Sequence, residues 1–352
     1  MIQEEQIRAQ IEKVVLPEIP RTIGQMNVLK KIERQEQSVS VLLNSTGLSE
    51  KSQVKIQKLI RSAVARLDKT LEIKIEFVES APKEVNTFGK IIAVMSGKGG
   101  VGKSLVSGLT AVALRRAGFE VGILDADITG PSIPKMFGMT TRPSFDSKAI
   151  LPVISNTGIE VMSLNLLLPS EEESVIWRGP MIGQVITQFW EDVLWGKLDY
   201  LIIDLPPGTA DAPLTVLQRI PVSGIVMVTT PQDLTTMIVK KAVNMAKHMN
   251  KPIVGVVENM SYLYVAELNK KIELFGKSRG EEMAHAAGAP LIAQIPIDPE
   301  LARLCDQGEI ERYDSADVKR LGEFMEKTPM SCDPACTSDC NSCNCHCEGE
   351  SE

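Results

Sequence analysis

Short runs of Ile, Val and Leu alternate with segments of helical spacing through most of this chain. Seven runs have strand character: Ile91–Met95, Val121–Leu124, Glu160–Ser163, Tyr200–Ile203, Gly224–Val228, Ile253–Val257 and Leu291–Ile295. Between them, Gly179–Leu194 and Leu234–Asn250 carry apolar residues at three- and four-residue intervals. Apolar strands that alternate with helices predict a mostly parallel sheet covered by helices on both faces. Ligands of such sheets sit beyond the carboxyl ends of the strands.

The first 80 residues predict a smaller α/β unit. A helix over Glu4–Val14 stops at Pro17 and Pro20. Val39–Leu43 reads as a strand, and Val54–Leu67 puts Ile56, Leu59, Ile60 and Val64 on one helical face. In Glu72–Val78, Ile73, Ile75 and Phe77 alternate with Lys74 and Glu76, the pattern of a half-buried strand. The polar stretch SAPKEVNTFGK then marks a boundary. The expected division is a small domain over 1–80, a linker over 81–89, a large domain over 90–327 and a tail over 328–352. That tail has almost no large apolar residue, so it is expected to be disordered without a ligand.

Composition narrows the class. At 43% hydrophobic and 24% charged residues the chain reads as a soluble globular protein. A net charge of −7 gives no electrostatic reason to expect nucleic acid or an anionic membrane as partner. The start, MIQEEQIRAQIEKVV, is acidic where a signal peptide is basic, and no apolar run approaches the roughly 20 residues of a membrane span. The expected location is the cytoplasm. Of seven cysteines, Cys305 stands alone and the other six follow Thr328, a distribution unlike a disulfide-stapled fold.

The candidate chemistry begins where the first large-domain strand ends. Gly97, Lys98, Gly99, Gly100, Val101, Gly102, Lys103 and Ser104 lie between an apolar run and an amphipathic segment, and they fill the spacing G-x-x-x-x-G-K-[ST]. In that pattern loop N–H groups cradle phosphates, the lysine reaches the β- and γ-phosphates and the hydroxyl binds Mg²⁺. Strand before and helix after separate it from a chance glycine-rich turn. Asp125 and Asp127 follow the second strand, placing two carboxylates near the γ-phosphate and its metal unless they serve as turn residues. Tyr200–Asp204 has the form of a Walker B strand, whose aspartate holds Mg²⁺ through water, and Pro206, Pro207 and Gly208 shape a switch loop behind it.

With its second lysine, KGGVGKS resembles the deviant Walker A class of dimerising ATPases, which includes MinD, ParA, the nitrogenase iron protein and the Mrp/ApbC carriers. The resemblance implies that Lys98 reaches the partner subunit's phosphates, where the residues alone allow a solvated loop lysine. It implies that Asp127 orients the attacking water, that Asp125 supports Mg²⁺ together with Ser104 and Asp204, and that Asn259 and the loop Pro296–Asp298 recognise adenine. The last two also read as ordinary turns. GKGGVGKS, LDADITGPSIP, WRGPM, DYLIIDLPPGTAD and ENMSYL together are similar to the Mrp/ApbC family of iron–sulfur cluster carrier ATPases. That similarity implies a P-loop NTPase that hydrolyses ATP slowly. It implies a homodimer that holds a labile [4Fe–4S] cluster and passes it to apoproteins, alongside assembly scaffold proteins. PEIPRTIGQMNVLKKIERQEQSVSVLLNS resembles the small domain of iron–sulfur assembly factors, but it lacks that domain's Cys-Pro pair and so reads as a docking or oligomerisation module.

One departure is large. The family places a C-x-x-C pair after ENMS, and here Glu258–Gly276 has no cysteine. The usual bridging site cannot form. Cys332, Cys336, Cys340, Cys343, Cys345 and Cys347 offer another set of soft ligands, with His346 inside the last pair, suited to an iron–sulfur cluster, Zn²⁺ or Cu(I). Two other readings stay open: a positioning ATPase of the MinD/ParA type, and an ATP-binding scaffold or regulator that has lost cluster transfer. Cys305 reads as a small buried apolar residue, Met237, Met245 and Met249 as helix packing, and His248 and His285 have no catalytic assignment.

Overall fold

The computed structural model describes residues 3–329 apart from 18, 36, 128–129, 131, 147–148, 168–178, 209–210 and 233–234. In chain order it begins with α1 (Glu4–Glu12), β1 (Leu29–Gln35), β2 (Ser38–Asn44), α2 (Glu50–Ala65), β3 (Glu72–Val78) and α3 (Pro82–Val85). Next come β4 (Thr87–Ser96), α4 (Lys103–Arg116), β5 (Val121–Asp125), α5 (Ile133–Met136), β6 (Ser144–Asp146), β7 (Ala149–Leu151), β8 (Val153–Ile154) and β9 (Glu160–Ser163). Then follow α6 (Gly179–Asp192), β10 (Lys197–Asp204), α7 (Asp211–Arg219), β11 (Gly224–Thr229), α8 (Thr235–His248) and β12 (Ile253–Glu258). The last are β13 (Leu263–Val265), β14 (Lys270–Ile272), α9 (Gly280–Ala287), β15 (Leu291–Gln294), α10 (Pro299–Asp306) and α11 (Ala316–Lys327).

The large unit is built on an eight-stranded sheet of order β15-β12-β11-β4-β10-β5-β9-β8. The pairs β10–β5, β11–β12, β11–β4, β12–β15 and β5–β9 are parallel, and the short β8 runs antiparallel to its neighbour β9. All seven apolar runs become strands of this sheet. β4 lies inside it, and Ile92, Ala93, Val94 and Met95 are fully buried, so an uninterrupted apolar run replaces the alternation of a one-faced strand. The helix that follows β4 is apolar nearly all round: Val106, Leu109, Ala111, Val112 and Leu114 pack between sheet residues and α11. Strand β4, the loop after it and α4 therefore all contribute to one core, through Ile92, Val94, Val101 and Leu109.

The small unit has its own core and a three-stranded sheet of order β1-β2-β3, with β1–β2 antiparallel and β2–β3 parallel. It spans Met1–Phe88 and takes in two later segments, Pro143–Pro152 and Trp190–Leu198. Trp195 is fully buried there, and its carbonyl accepts from Arg21 Nη1 at 3.2 Å. Asn86 Nδ2 donates to the Val193 carbonyl at 2.9 Å, and its Oδ1 accepts from the Trp195 N–H at 2.8 Å. Residues 81–89, expected as a linker, contain α3 and the start of β4. On α2 the buried stripe is Ile56, Ile60, Ala63 and Val64, while Leu59 is exposed, a correction to the face read from the sequence. Strand β1 escapes the period-two pattern because only Leu29 and Ile32 are buried and a bulge at Leu29/Lys31 shifts the register. No helix among the described residues is long and apolar enough to cross a membrane.

Candidate functional site

Ser96 ends β4, and its hydroxyl donates to the Lys98 carbonyl at 3.0 Å, turning the chain into the glycine-rich loop. Gly100 and Gly102 take φ of +78° and +81°, a left-handed backbone that strains any L side chain. Gly102 has a second constraint: a Cβ there would lie 2.1 Å from Asn259 Nδ2. Gly102 is the N-cap of α4, and that helix has no acidic residue in its first turn. Free N–H groups at a helix start carry partial positive charge and form a seat for an anion.

Behind the loop, three acids meet one lysine. Lys103, 5% exposed, places Nζ 2.8 Å from Asp204 Oδ1 and 3.4 Å from Asp127 Oδ2. Asp204 ends β10 in register with Asp125 on β5. Its Oδ1 also accepts from the Ser107 hydroxyl at 2.7 Å, whereas its Oδ2 is buried with no hydrogen-bond partner. Asp125 Oδ1 accepts from the Asp127 N–H at 3.1 Å and Oδ2 from the Ser163 hydroxyl at 3.0 Å. Burial pushes the Asp125 carboxyl up to about 8, with the Asp204 charge adding to the rise and Lys103 and Ser163 opposing it. Ser104 Oγ lies 3.3 Å from Lys103 Nζ. The structure thus brings Lys103, Ser104, Asp125, Asp127 and Asp204 to one spot at the carboxyl ends of adjacent strands. The segment after Asp204 is held to β4, with the Leu205 N–H on the Val94 carbonyl and the Gly208 N–H on the Ser96 carbonyl, both at 3.1 Å.

The remaining sequence candidates are placed as follows. Lys98 donates to Gln232 Oε1, in the loop after β11. Asn259, buried at the end of β12, donates Nδ2 to the Val101 carbonyl at 2.9 Å and so braces the phosphate loop. Asp298 caps α10, accepting from the Glu300 N–H at 2.9 Å, and its other oxygen accepts from the Tyr313 hydroxyl at 2.9 Å. Pro296 is half-buried before that cap. Trp177 and Arg178 of WRGPM, and the six tail cysteines Cys332, Cys336, Cys340, Cys343, Cys345 and Cys347, lie outside the described residues. Among the described residues no group of three or more His, Cys, Asp or Glu side chains is arranged to hold a metal ion. Cys305 is half-buried, and burial pushes its thiol up to about 11, which removes it from thiolate chemistry at neutral pH.

Sequence reasoning missed four contributors. Ser107 sits one turn after Lys103 on the same helix face, a spacing that had the signal. Ser163, on β9, and Gln232, in the loop after β11, are distant in sequence and carry none. The fourth is Glu258, fully buried, whose carboxylate accepts from Ser261 Oγ and Ser278 Oγ at 2.6 Å, the Arg279 N–H at 2.8 Å and Gln294 Nε2 at 3.1 Å. Burial alone would raise its pKa, and these donors together hold it below the ordinary value. The network ties both ends of the excursion that carries the β13–β14 hairpin, the segment without cysteine.

Comparison with known proteins places this geometry. A family model described as ParA, the NUBPL iron-transfer P-loop NTPase, matches residues 87–328, and one described as an iron–sulfur cluster assembly protein matches residues 4–77. A protein of Clostridium perfringens named iron-sulfur cluster carrier protein is 47% identical over 246 residues, covering 66% of this chain and 86% of that protein. One of the same name from Bacillus subtilis is 35% identical over 314 residues, covering 84% and 89%. A nucleotide-binding protein of Archaeoglobus fulgidus, solved in complex with ADP, is 44% identical with a TM-score of 0.59, covering 65% of this chain and 90% of that one.

Proposed function

This chain belongs to the family of NUBPL-type iron-transfer P-loop NTPases, and from that membership we propose that it is an ATP-binding and ATP-hydrolysing carrier that delivers iron–sulfur clusters to apoproteins. One observation carries the nucleotide half of the reading: Lys103 is held between Asp204 and Asp127 at the mouth of a left-handed, amide-lined loop. A triphosphate entering that loop brings negative charge that competes with both acids for the lysine. Once Lys103 turns to the β- and γ-phosphates, Asp204 is released from its ion pair.

The donor set fits Mg²⁺. Asp204 Oδ2 is buried without a partner and the Ser104 hydroxyl lies beside Lys103, oxygen ligands of the kind a hard cation takes. Asp125, whose two oxygens already accept from Asp127 and Ser163, supports the geometry around them. When bound, Mg²⁺ supplies positive charge to the phosphate oxygens. Asp127 then positions the attacking water, and Lys98, whose Nζ donates to Gln232 Oε1, completes the site of a second copy in a homodimer. Asn259 and the Pro296–Asp298 loop flank the base. Hydrolysis is slow and coupled to rearrangement of the switch segment. Recipients are iron–sulfur apoproteins, assembly scaffold proteins are the upstream partners, and the cytoplasm is the place of work. The cluster is cargo, held by the tail thiols, a soft-ligand set suited to iron and sulfide.

Complementation between two defective chains tests the trans arrangement. Lys98→Ala and Asp127→Ala each lose at least about 100-fold in ATP turnover, as a charge-supplying finger and a water-positioning group require. Mixed together they recover activity, because the Lys98→Ala protomer keeps an intact acid set and receives the finger from its neighbour. If the mixture is no more active than either chain alone, the lysine does not act across a dimer.

A further inference from the structure

Between the end of β12 at Glu258 and the start of α9 at Gly280 the chain leaves the large sheet and carries the β13–β14 hairpin. This excursion is held at its root. The Ser261 N–H donates to the Ile295 carbonyl at 3.0 Å and the Ile297 N–H to the Tyr262 carbonyl at 2.7 Å, and Leu263 forms a bridge with Ile297. Glu258 gathers Ser261 from the outgoing side and Ser278 and Arg279 from the returning side. The far part is apolar and uncovered: Tyr264, Leu268, Leu274 and Phe275 are 50%, 67%, 54% and 41% exposed. Among the described side chains of the large unit, the exposed large apolar ones all lie here. Single exposed apolar residues are normal on any protein. Four of them between 264 and 275, on a segment whose root is pinned by a buried carboxylate, mark a surface for contact.

The sheet sets where that surface lies. β4, β11 and β12 are parallel neighbours; Ser96 of β4 pairs with Val228, and Glu258 of β12 pairs with Thr229, the next residue on β11. The loop that carries Lys98 and the excursion therefore leave the same edge of the sheet, two strand spacings or about 10 Å apart. We propose that the excursion is a contact surface between two copies of this chain, in which Tyr264, Leu268, Leu274 and Phe275 of each copy pack against the other and hold the pair together with no cluster between them. The proposal rests on the reading that Lys98 serves the nucleotide of a second copy, and it names the surface that brings that copy in. For Lys98 to reach across, the two carboxyl-end edges must face each other, and an excursion rooted beside Lys98 enters the gap. Its charges suit a copy of itself. Glu267 and Glu273 are interspersed with Lys270, Lys271 and Lys277, all exposed. A two-fold axis pairs residue i with j and j with i, so a surface of mixed sign meets its own complement, whereas a surface of one sign calls for a different partner. Area agrees: the four side chains expose roughly 400 Å², about half of what each side of a stable interface buries, and the phosphate-loop edge adds to it. The excursion has no cysteine, so apolar burial is the means of holding that its residues provide.

The test uses the full chain, freed of iron by a chelator and then given Mg²⁺ and a non-hydrolysable ATP analogue, with mass followed by light scattering across a dilution series. Dimers are expected to form without iron. Tyr264→Ser/Leu268→Ser/Leu274→Ser/Phe275→Ser, at positions already in water, weakens dimerisation at least about 100-fold. Affinity for the analogue, compared at dilutions where both chains are monomeric, is unchanged. Charge reversal gives a second reading that does not depend on the quadruple variant. Glu267→Lys/Glu273→Lys and Lys270→Glu/Lys277→Glu each dimerise more weakly than the unaltered chain, and an equal mixture recovers because opposite excursions meet. A quadruple variant that dimerises as tightly as the unaltered chain, or a charge mixture no better than its components, overturns the proposal and leaves the surface to another partner. The Lys98 reading is judged separately: recovery of ATP turnover by mixed Lys98→Ala and Asp127→Ala chains upholds it even where the quadruple variant dimerises normally. If the unaltered chain stays monomeric with the analogue and that mixture shows no recovery, the proposal and the reading fall together.

Discussion

Replacing Gly102 with alanine separates two physical demands on the phosphate loop. The residue sits at φ +81°, so any L side chain there costs about 1–2 kcal/mol. Its new methyl would lie 2.1 Å from Asn259 Nδ2, the donor that braces the Val101 carbonyl at 2.9 Å. The amide must swing away, losing a hydrogen bond and a good rotamer, for about 1–2 kcal/mol more. An empty loop can relax this strain, whereas a loop closed on phosphates cannot, so the total of about 2–4 kcal/mol falls on ATP affinity. At about 1.4 kcal/mol per tenfold, Gly102→Ala weakens ATP binding by roughly 30- to 700-fold. Gly100 is the control: it has φ +78° but no heavy atom within 4 Å of a Cβ, so Gly100→Ala carries the backbone cost alone, about 5- to 30-fold. Titration calorimetry with a non-hydrolysable ATP analogue measures all of these. In the double variant Gly102→Ala/Asn259→Ala the clash has no partner, and the combined loss is smaller than the sum of the single losses by about 1 kcal/mol. Equal losses at Gly100 and Gly102, with additive behaviour at Asn259, would refute the bracing contact.

Other expectations follow from buried polar groups. Glu258→Gln leaves at least two of its four donors badly matched and lowers unfolding stability by about 2–4 kcal/mol, read by denaturant titration. Because the folded pKa of Glu258 lies below its ordinary 4.5, its contribution is complete above that value and fades as pH falls through the folded one, so the variant shows a shallower acid limb. Lys90→Met removes the cation that donates to the carbonyls of Met325 and Thr328, at 3.4 and 3.1 Å, and costs about 1–2 kcal/mol. Hydrogen exchange in the last turn of α11 rises in that variant, while ATP affinity holds, because Lys90 lies near the amino end of β4 and the phosphate loop leaves its carboxyl end; a fall in affinity would contradict that separation.

How much of this was legible depends on how local each cause is. The phosphate loop and Asp204 were readable because glycine spacing and an apolar run ending in Asp depend on neighbours in sequence. The sheet was readable for the same reason: strands buried on both faces are written as unbroken Ile and Val. The small unit was read short because its core takes Ala149 and Leu194 from far along the chain, and no local pattern announces such recruitment. Leu59 was misassigned because a helical wheel places a residue on a face without saying how wide the buried stripe is. Asp298 precedes Pro and Glu at a helix start, a capping signature, and the cap is the role the geometry gives its carboxylate. The hairpins β6–β7 and β13–β14, three residues per strand, are too short for a period to register.

Coupling between nucleotide and cargo is tested most directly by the rate at which the cluster-loaded full chain passes its cluster to an apo-acceptor, followed by the acceptor's regained absorbance, with and without Mg·ATP. A carrier whose Lys103 answers to triphosphate transfers at a rate that changes at least several-fold on adding Mg·ATP, and Lys103→Ala, loaded to the same iron content, abolishes that change. Transfer that proceeds identically with and without nucleotide in both chains would contradict the account.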